Sequence, residues 1–283
     1  KKYGFDQSLS KQYWFYLNDL SPISWHNTQK EHFTNYREQD YGGSIIVKTE
    51  GGVLVFKAPY LRDSFQKSGK RVTQVISETL PNTAILAISS ITIAIFLGLL
   101  LGVISVWFKD KWLDHLIQII STIGMSIPSF FSAIFFAWFF GYVLHQYTNL
   151  NMTGSLIDVD DFGEGTYVAW KNLLLPSIVL GIRPIAVITQ LMRNSLWEEM
   201  HKDYIRTAKS KGLTDWTIMW KHAMKNALNP VVTAISGWFA SMLAGAVFVE
   251  YVFGWNGLGK EIVDALNTLD LPIIMGAVLV IAT

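Results

Sequence analysis

"DYIRTAKSKGLTDWTIMWKHAMKNALNP", residues 203–230, decides how this chain is read. The stretch is basic and helix-forming, carries a single glycine, and lies between two apolar runs. Up to Ala208, the apolar residues Leu196, Met200, Tyr204 and Ala208 recur every fourth position, which is one helical stripe. Gly212 stands where a helix ends in a left-handed residue, a conformation glycine adopts without a Cβ penalty. Thr214 or Asp215 can then cap a second helix by accepting a backbone N–H. Trp216, Met219, Trp220, Ala223 and Ala227 share one side of it, and Pro230 marks a break before the next apolar run. The pattern predicts helix, glycine corner, helix, with cations around the corner. Such an element either lies on lipid headgroups, as basic residues beside tryptophan do, or is held by another protein.

The flanks of this stretch set its context. Runs long enough to cross hydrocarbon, about 20 residues at 1.5 Å rise, extend from Asn82 to Phe108, Leu116 to Leu144, Leu173 to Met192 and Val231 to Phe253. Pro128 interrupts the second, and Pro176, Arg183 and Pro184 lie within the third. A fifth run starts at Leu271 and reaches the last residue, Thr283. Hydrophobic residues make up 51% of the 283 and charged residues 16%, against about 25% charged in soluble domains. Packed as a soluble core, these runs would leave almost no polar surface. A net charge of +1 gives no electrostatic case for nucleic acid. The absence of cysteine excludes disulfides and thiolate chemistry.

Lysine and arginine in short loops orient a membrane protein. Lys109 and Lys111 follow the first run, and Arg193, Lys202, Arg206, Lys209, Lys211, Lys221 and Lys225 follow the third. The loop from Tyr147 to Lys171 is acidic, with Asp158, Asp160, Asp161 and Glu164, and Gly254 to Asp270 carries Lys260 alone. Parity puts both basic loops on one side, expected to be cytoplasmic, and residues 1–80 on the other. That segment reads as mixed α/β. Gly4 to Leu20 suits a short helix, "SIIVKTEGGVLVFK" (44–57) a hairpin joined at Gly51-Gly52, and Tyr60 to Thr79 an amphipathic helix entering the first span through Pro81.

With these residues in place, the chain resembles a known family. Ala208, three residues and then Gly212, in a long basic loop before the penultimate span, resembles the EAA loop of ABC-importer permeases. The longer string "YIRTAKSKGL…WKHAMKNALNP" resembles its dipeptide, oligopeptide and nickel subgroup. Arg206-Thr207 stands where Glu-Ala is common in the wider family, and His222 to Lys225 replaces its hydrophobic-Pro ending; the peptide-type subgroup shares both departures. "YGFDQSLSKQYWFYLNDL", "DYGGS", "LPNTAILA" and "VFVEYVFGWNGLGKEIVDALNTLDLPIIMGAVL" extend the resemblance over nearly the whole chain, with Asn256 where proline is frequent.

The resemblance implies an all-α polytopic membrane protein, the type I importer transmembrane domain, with five of an expected six spans in this sequence. It implies a multi-pass place in the bacterial inner (plasma) membrane, an extracytoplasmic segment over residues 1–80, and a permease domain over 81–283 with a coupling loop at 194–229. Tyr204, Arg206, Ala208, Lys211, Gly212, Leu213 and Asp215 would form the loop that docks in an ATPase subunit. The partners implied are a second homologous permease, two ABC ATPase subunits carrying ATP and magnesium, a solute-binding protein outside, and the lipid bilayer. No cofactor is expected on this chain, and its substrate would be a peptide or related small solute.

Three features bear on transport itself. Arg183 lies mid-span, where a charge costs about 2.5–3.5 kcal/mol; it either lines the translocation path or pairs with a carboxylate or helix-end carbonyl. Glu250, with Gly257 and Gly259 beyond it, either belongs to a flexible outer gate loop or simply meets water at the interface. Ser89, Ser90, Gly98 and Gly102 suit close helix packing. Within the spans between Asn82 and Met192, as bounded above, there is no Asp or Glu for a coupling ion, which argues against an ion-gradient carrier. No phosphate loop G-x-x-x-x-G-K-[ST] and no H-E-x-x-H spacing occurs, so no catalytic residue is assigned and the ATP site is expected on another chain.

Overall fold

The computed structural model describes residues 6–29, 35–159 and 165–282. They form two compact units: residues 1–78 with 264–283, and residues 79–263. In chain order the helices are α1 (Leu9–Leu20), α2 (Glu38–Tyr41), α3 (Val72–Trp107), α4 (Trp112–Ser126), α5 (Ser129–Trp138), α6 (His145–Thr148), α7 (Lys171–Glu199), α8 (Asp203–Ser210), α9 (Asp215–Ile218), α10 (Met224–Gly245), α11 (Val247–Phe253), α12 (Leu258–Asn267) and α13 (Leu271–Ala282). The strands are β1 (Ile23–Asn27), β2 (Ser44–Lys48), β3 (Gly52–Phe56), β4 (Ile157–Val159) and β5 (Thr166–Val168).

In the first unit, β2 and β3 form the expected hairpin, with a register shift between Ile45 and Val47. Strand β1 pairs on the far side of β3, giving the antiparallel order β1-β3-β2. The short helix is found from Leu9; Gly4 and Phe5 lie outside the described residues. Tyr60 to Thr79 is not one helix. Residues 57–70 form a loop with Arg62 and Gly69 at positive φ, and helix begins at Val72. Buried polar contacts hold that loop better than a helix would. Arg62 Nε donates to Asp19 Oδ2 at 2.9 Å. Asp270 accepts from Ser64 Oγ and from the backbone N–H groups of Phe65 and Gln66.

The second unit holds the long apolar helices from Thr79 onward, and α13 belongs to the first unit. By length and composition α3, α7 and the helix from Asp215 to Ala244 can each cross a membrane, and α13 is apolar but shorter. The second apolar run is not straight. It breaks at Ile127-Pro128 into α4 and a helix from Ser129 to Val143, bent by 108°. The contacts at its ends show that it still crosses. At its start Asp114 pairs with Arg193, near the end of α7; beyond it, Asn151 Nδ2 donates to Asn172 Oδ1 at the start of α7. Gly141 packs on Met152, in the same segment as Asn151.

Two further expectations change. Pro230 does not end a helix: α9, a π turn over Met219–Ala223 and α10 run through it. Pro230 lies on the exposed face, so the Asn226 carbonyl that it deprives of a partner also faces outward, where other groups can satisfy it. The fourth apolar run ends early, and Val247 to Phe253 forms the separate helix α11. The close packing expected of Gly98 and Gly102 is present: a Cβ on either would fall 2.6 Å from Ile188 Cγ2 or Met192 Cβ of α7. Ser90 is fully buried beside Gly181.

Candidate functional site

The basic corner is a short elbow. Helix α7 ends at Glu199 and α8 begins at Asp203, so the predicted continuous stripe is cut at Met200–Lys202 and its phase is reset. Ile205 and Ala208 are buried, whereas Tyr204 is 37% exposed. Much of the expected coupling loop 194–229 is helix shared with the flanking spans. Residues 194–199 belong to α7 and 215–229 to the helix that continues into α10.

Gly212 has φ +79, the left-handed conformation expected of it. Its N–H donates to Lys209 O at 2.9 Å, and the Leu213 N–H reaches Ala208 O at 3.4 Å. This pair of bonds closes the end of α8 as a Schellman motif. Thr214, rather than Asp215, caps α9, its hydroxyl accepting from Thr217 N. Asp215 instead pairs at the surface with Lys209 at 3.1 Å.

The elbow has two unlike faces. Its underside is apolar: Ile205, Ala208, Ile218, Met219 and Ala223 join Val103 and Val106 of α3 and Ile188, Met192 and Leu196 of α7 in one core. Trp216 and Trp220, which the spacing places on one side with Met219 and Ala223, are exposed; Trp216 meets Trp107 edge-on at 5.6 Å. Ile218, not singled out from sequence, takes the inward place. The other face shows Arg206, Lys209, Lys211, Gly212, Leu213 and Asp215 to the exterior. Tyr204 serves as a strut between helices. Its hydroxyl donates to Glu199 Oε2 at 2.6 Å and accepts from Asn226 Nδ2 at 3.2 Å, linking α7, α8 and α10. Burial and the bond to Glu199 both raise the Tyr204 phenol above its ordinary pKa.

A buried ion pair stiffens this end. Arg193 donates through Nε (2.7 Å) and Nη2 (2.9 Å) to the two oxygens of Asp114, a carboxylate with no exposed surface. Ser105 Oγ, the Asp110 N–H and Gln118 Nε2 also donate to the carboxylate, and Lys109 Nζ lies 3.8 Å from its Oδ2. Asp114 therefore stands inside a span helix, contrary to the boundaries read from sequence. Its oxygens are fully committed to a structural pair, which leaves it no role in coupling an ion.

At the opposite end, Glu250 does not meet water. It is completely buried, and its Oε2 accepts from the backbone N–H groups of Gly259 (2.7 Å) and Lys260 (3.1 Å) at the start of α12. Nor is the loop beyond it loose. A Cβ on Gly257 would lie 2.4 Å from Glu250 Oε2, and one on Gly259 would lie 2.5 Å from Val247 Cα. Trp255 Nε1 donates to Asn82 O, Asn82 Nδ2 to Asn256 O, and the Leu258 N–H to Thr83 Oγ1. The loop is riveted to the start of the first apolar run. Arg183 is exposed on α7 and borders a cavity beside the Ile127-Pro128 break. Among the described residues, His, Asp and Glu nowhere form a group of three or more able to hold a metal.

Comparison with known proteins agrees with this geometry. The family described as binding-protein-dependent transport system inner membrane component matches residues 94–283. The dipeptide transport system permease protein DppB of Alkalihalophilus pseudofirmus is 34% identical over 230 residues, covering 77% of this chain and 69% of that protein. DppB of Haemophilus influenzae is 37% identical over 216 residues, 72% of this chain and 65% of that one. The chain thus spans about two thirds of the length of these relatives. The MetNI methionine ABC transporter in an inward-facing conformation shares the fold, with a TM-score of 0.56 at 16% identity over 74% of this chain and 91% of that one. The chain belongs to the family of binding-protein-dependent transport permeases. It is a multi-pass permease subunit of an ATP-driven importer, and the ion-gradient carrier is set aside.

Proposed function

We propose that this permease carries peptides across the bacterial inner membrane by alternating access, with the basic elbow on the cytoplasmic side as its coupling element. A second permease of the same kind completes the path, two ATPase subunits bind ATP and magnesium, and a solute-binding protein delivers substrate from outside. The peptide reading draws on the two DppB relatives. The coupling reading draws on one observation: the elbow has an outward polar face and an inward face merged with the core of α3 and α7. A force applied at Arg206 or Leu213 passes through Ile205, Ala208 and Ile218 into two spans, because close-packed interiors transmit displacement rather than absorb it. The ATPases must grip the elbow differently before and after closure, since equal binding to both states shifts nothing.

The experiment is to reverse the outward face without touching the underside. Arg206→Glu combined with Leu213→Glu, in the assembled transporter, is expected to abolish co-purification of the ATPase subunits and ATP-dependent peptide uptake. Membrane insertion and pairing with the second permease are expected to persist. Normal uptake by this variant contradicts the docking role and favours an elbow that merely rests on headgroups.

A further inference from the structure

Arg183 is the thirteenth of the 29 residues of α7, roughly 18 Å along the helix from its start and 24 Å from its end at 1.5 Å per residue. A cation at that depth needs compensation, and the described residues supply none: the Arg183 guanidinium has no hydrogen bond and no ion pair among them. The buried carboxylates on and beside the spans of this unit meet other groups, Glu199 being held by Lys202 and Tyr204. Asp114 is held by Arg193, and Glu250 by the start of α12. The structural pairing, one of the two alternatives for Arg183, is therefore absent among the described residues.

What surrounds Arg183 is a cavity of about 160 Å³ at the break between α4 and α5. Ser129 and Ser132 of α5 and Ser241 of α10 line it with Arg183, and Trp238 forms part of the wall. No hydrogen bond engages any of the three hydroxyls among the described residues. The cavity lining thus offers a guanidinium and three hydroxyls, with no side-chain carboxylate. A guanidinium is matched by a planar anion with two acceptor oxygens. The 108° bend between α4 and α5 lies at this cavity, whose lining includes Ile127 and Ser129 on its two sides.

We propose that this cavity receives the terminal carboxylate of the transported peptide, with Arg183 as the recognising group and Ser129, Ser132 and Ser241 as supporting donors. The proposal rests on the peptide reading above and adds where, inside the membrane, the substrate's negative end is met. Free amino acids and other small carboxylates share the chemistry, but a peptide is the occupant consistent with the rest of the account. The exposed position of Arg183 leaves the site accessible along the face that a second permease would complete.

The test uses the full reconstituted transporter in proteoliposomes, with a tripeptide and its C-terminal amide as probes. The binding protein contributes the same acid-to-amide preference in every sample, so any change in the ratio belongs to the permease. Arg183→Gln is expected to lower uptake of the free acid by about tenfold or more while changing the amide little; Arg183→Lys should retain part of the preference. The chain has no cysteine, so Arg183→Cys can be modified by thiosulfonates without background from this subunit. A reagent that adds an ammonium group should restore the preference, and a neutral methyl reagent should not. An unchanged ratio and rate in Arg183→Gln overturns the proposal. So does loss of the second permease on purification of Arg183→Gln, which assigns the arginine to assembly. Wild-type transporter that hydrolyses ATP yet takes up neither probe instead overturns the peptide reading itself, a failure distinguished by the wild-type control.

Discussion

The molecule turns two glycine corners, one at each end of its span unit, and builds them in opposite ways. Gly212 bends the chain through φ +79 with nothing within 4 Å of where a side chain would stand. Gly257 and Gly259 are crowded, and a side chain on Gly257 would strike the carboxyl of Glu250. The first corner uses glycine for its backbone and leaves its outer surface to a partner. The second uses glycine for its size, so that a buried carboxylate can seat the first turn of α12. An open corner with cations is a handle; a filled corner with a buried carboxyl group is a closure. From the residue pattern alone the first reads as a helix–glycine–helix corner and the second as a flexible gate loop or a carboxylate meeting water; the second is instead closely packed.

The largest expected effect concerns what lies beneath the handle. Asp114→Ala takes the carboxylate from the partly buried Arg193 and leaves Ser105 Oγ and the Asp110 N–H without their acceptor, and should cost about 3 kcal/mol. A large loss of thermal stability in the detergent-solubilised complex would register it, and a melting temperature within a degree of wild type would show the pair to be idle. Next, Gly257→Val should push Glu250 away from the α12 amides, with an overpacking cost of about 1–3 kcal/mol. Proteolysis of the Gly254–Lys260 loop should rise in that variant, and an equally resistant loop would mean the corner is not filled as described.

Gly212→Ala separates the two corners most cleanly. It meets open space, so its cost is the left-handed strain alone, about 1–2 kcal/mol, confined to the elbow. ATPase affinity should fall modestly without loss of insertion; an effect as large as that of Gly257→Val would erase the distinction drawn here. Asp19, away from both corners, gives the smallest effect. Burial raises its carboxyl above the ordinary value, outweighing the opposing pull of Arg62. The folded state then keeps the proton to higher pH than the unfolded chain. Stability should fall as pH rises from the ordinary carboxylate value through the raised one, and level off beyond it. Asp19→Asn should flatten that slope, as read by melting temperature against pH.

What the residues announce in advance is local. Gly212 and Thr214 mark the elbow because each acts within four positions of itself, and Pro128 marks the place where a span fails. The 79-residue separation of Asp114 and Arg193 hides their pairing. Nothing near Asp114 shows that a guanidinium on another helix fills its oxygens. The stripe from Leu196 to Ala208 misleads at Tyr204 because periodicity assumes an unbroken helix, and three residues at Met200–Lys202 reset the phase. Glu250 is placed wrongly for the same kind of reason, since its partners are backbone amides formed only when α12 folds against it. The family signature depends on the local features, which is why it survives these errors.

The central claim is that the outward face of the elbow is gripped by a separate ATP-hydrolysing subunit. Because the chain contains no cysteine, a photo-crosslinker attached through Leu213→Cys in the intact membrane reports on that position alone within this subunit. The account predicts an adduct whose mass spectrum identifies a nucleotide-binding ATPase and whose yield changes when ATP is added. Adducts to phospholipid only, with or without ATP, would contradict it.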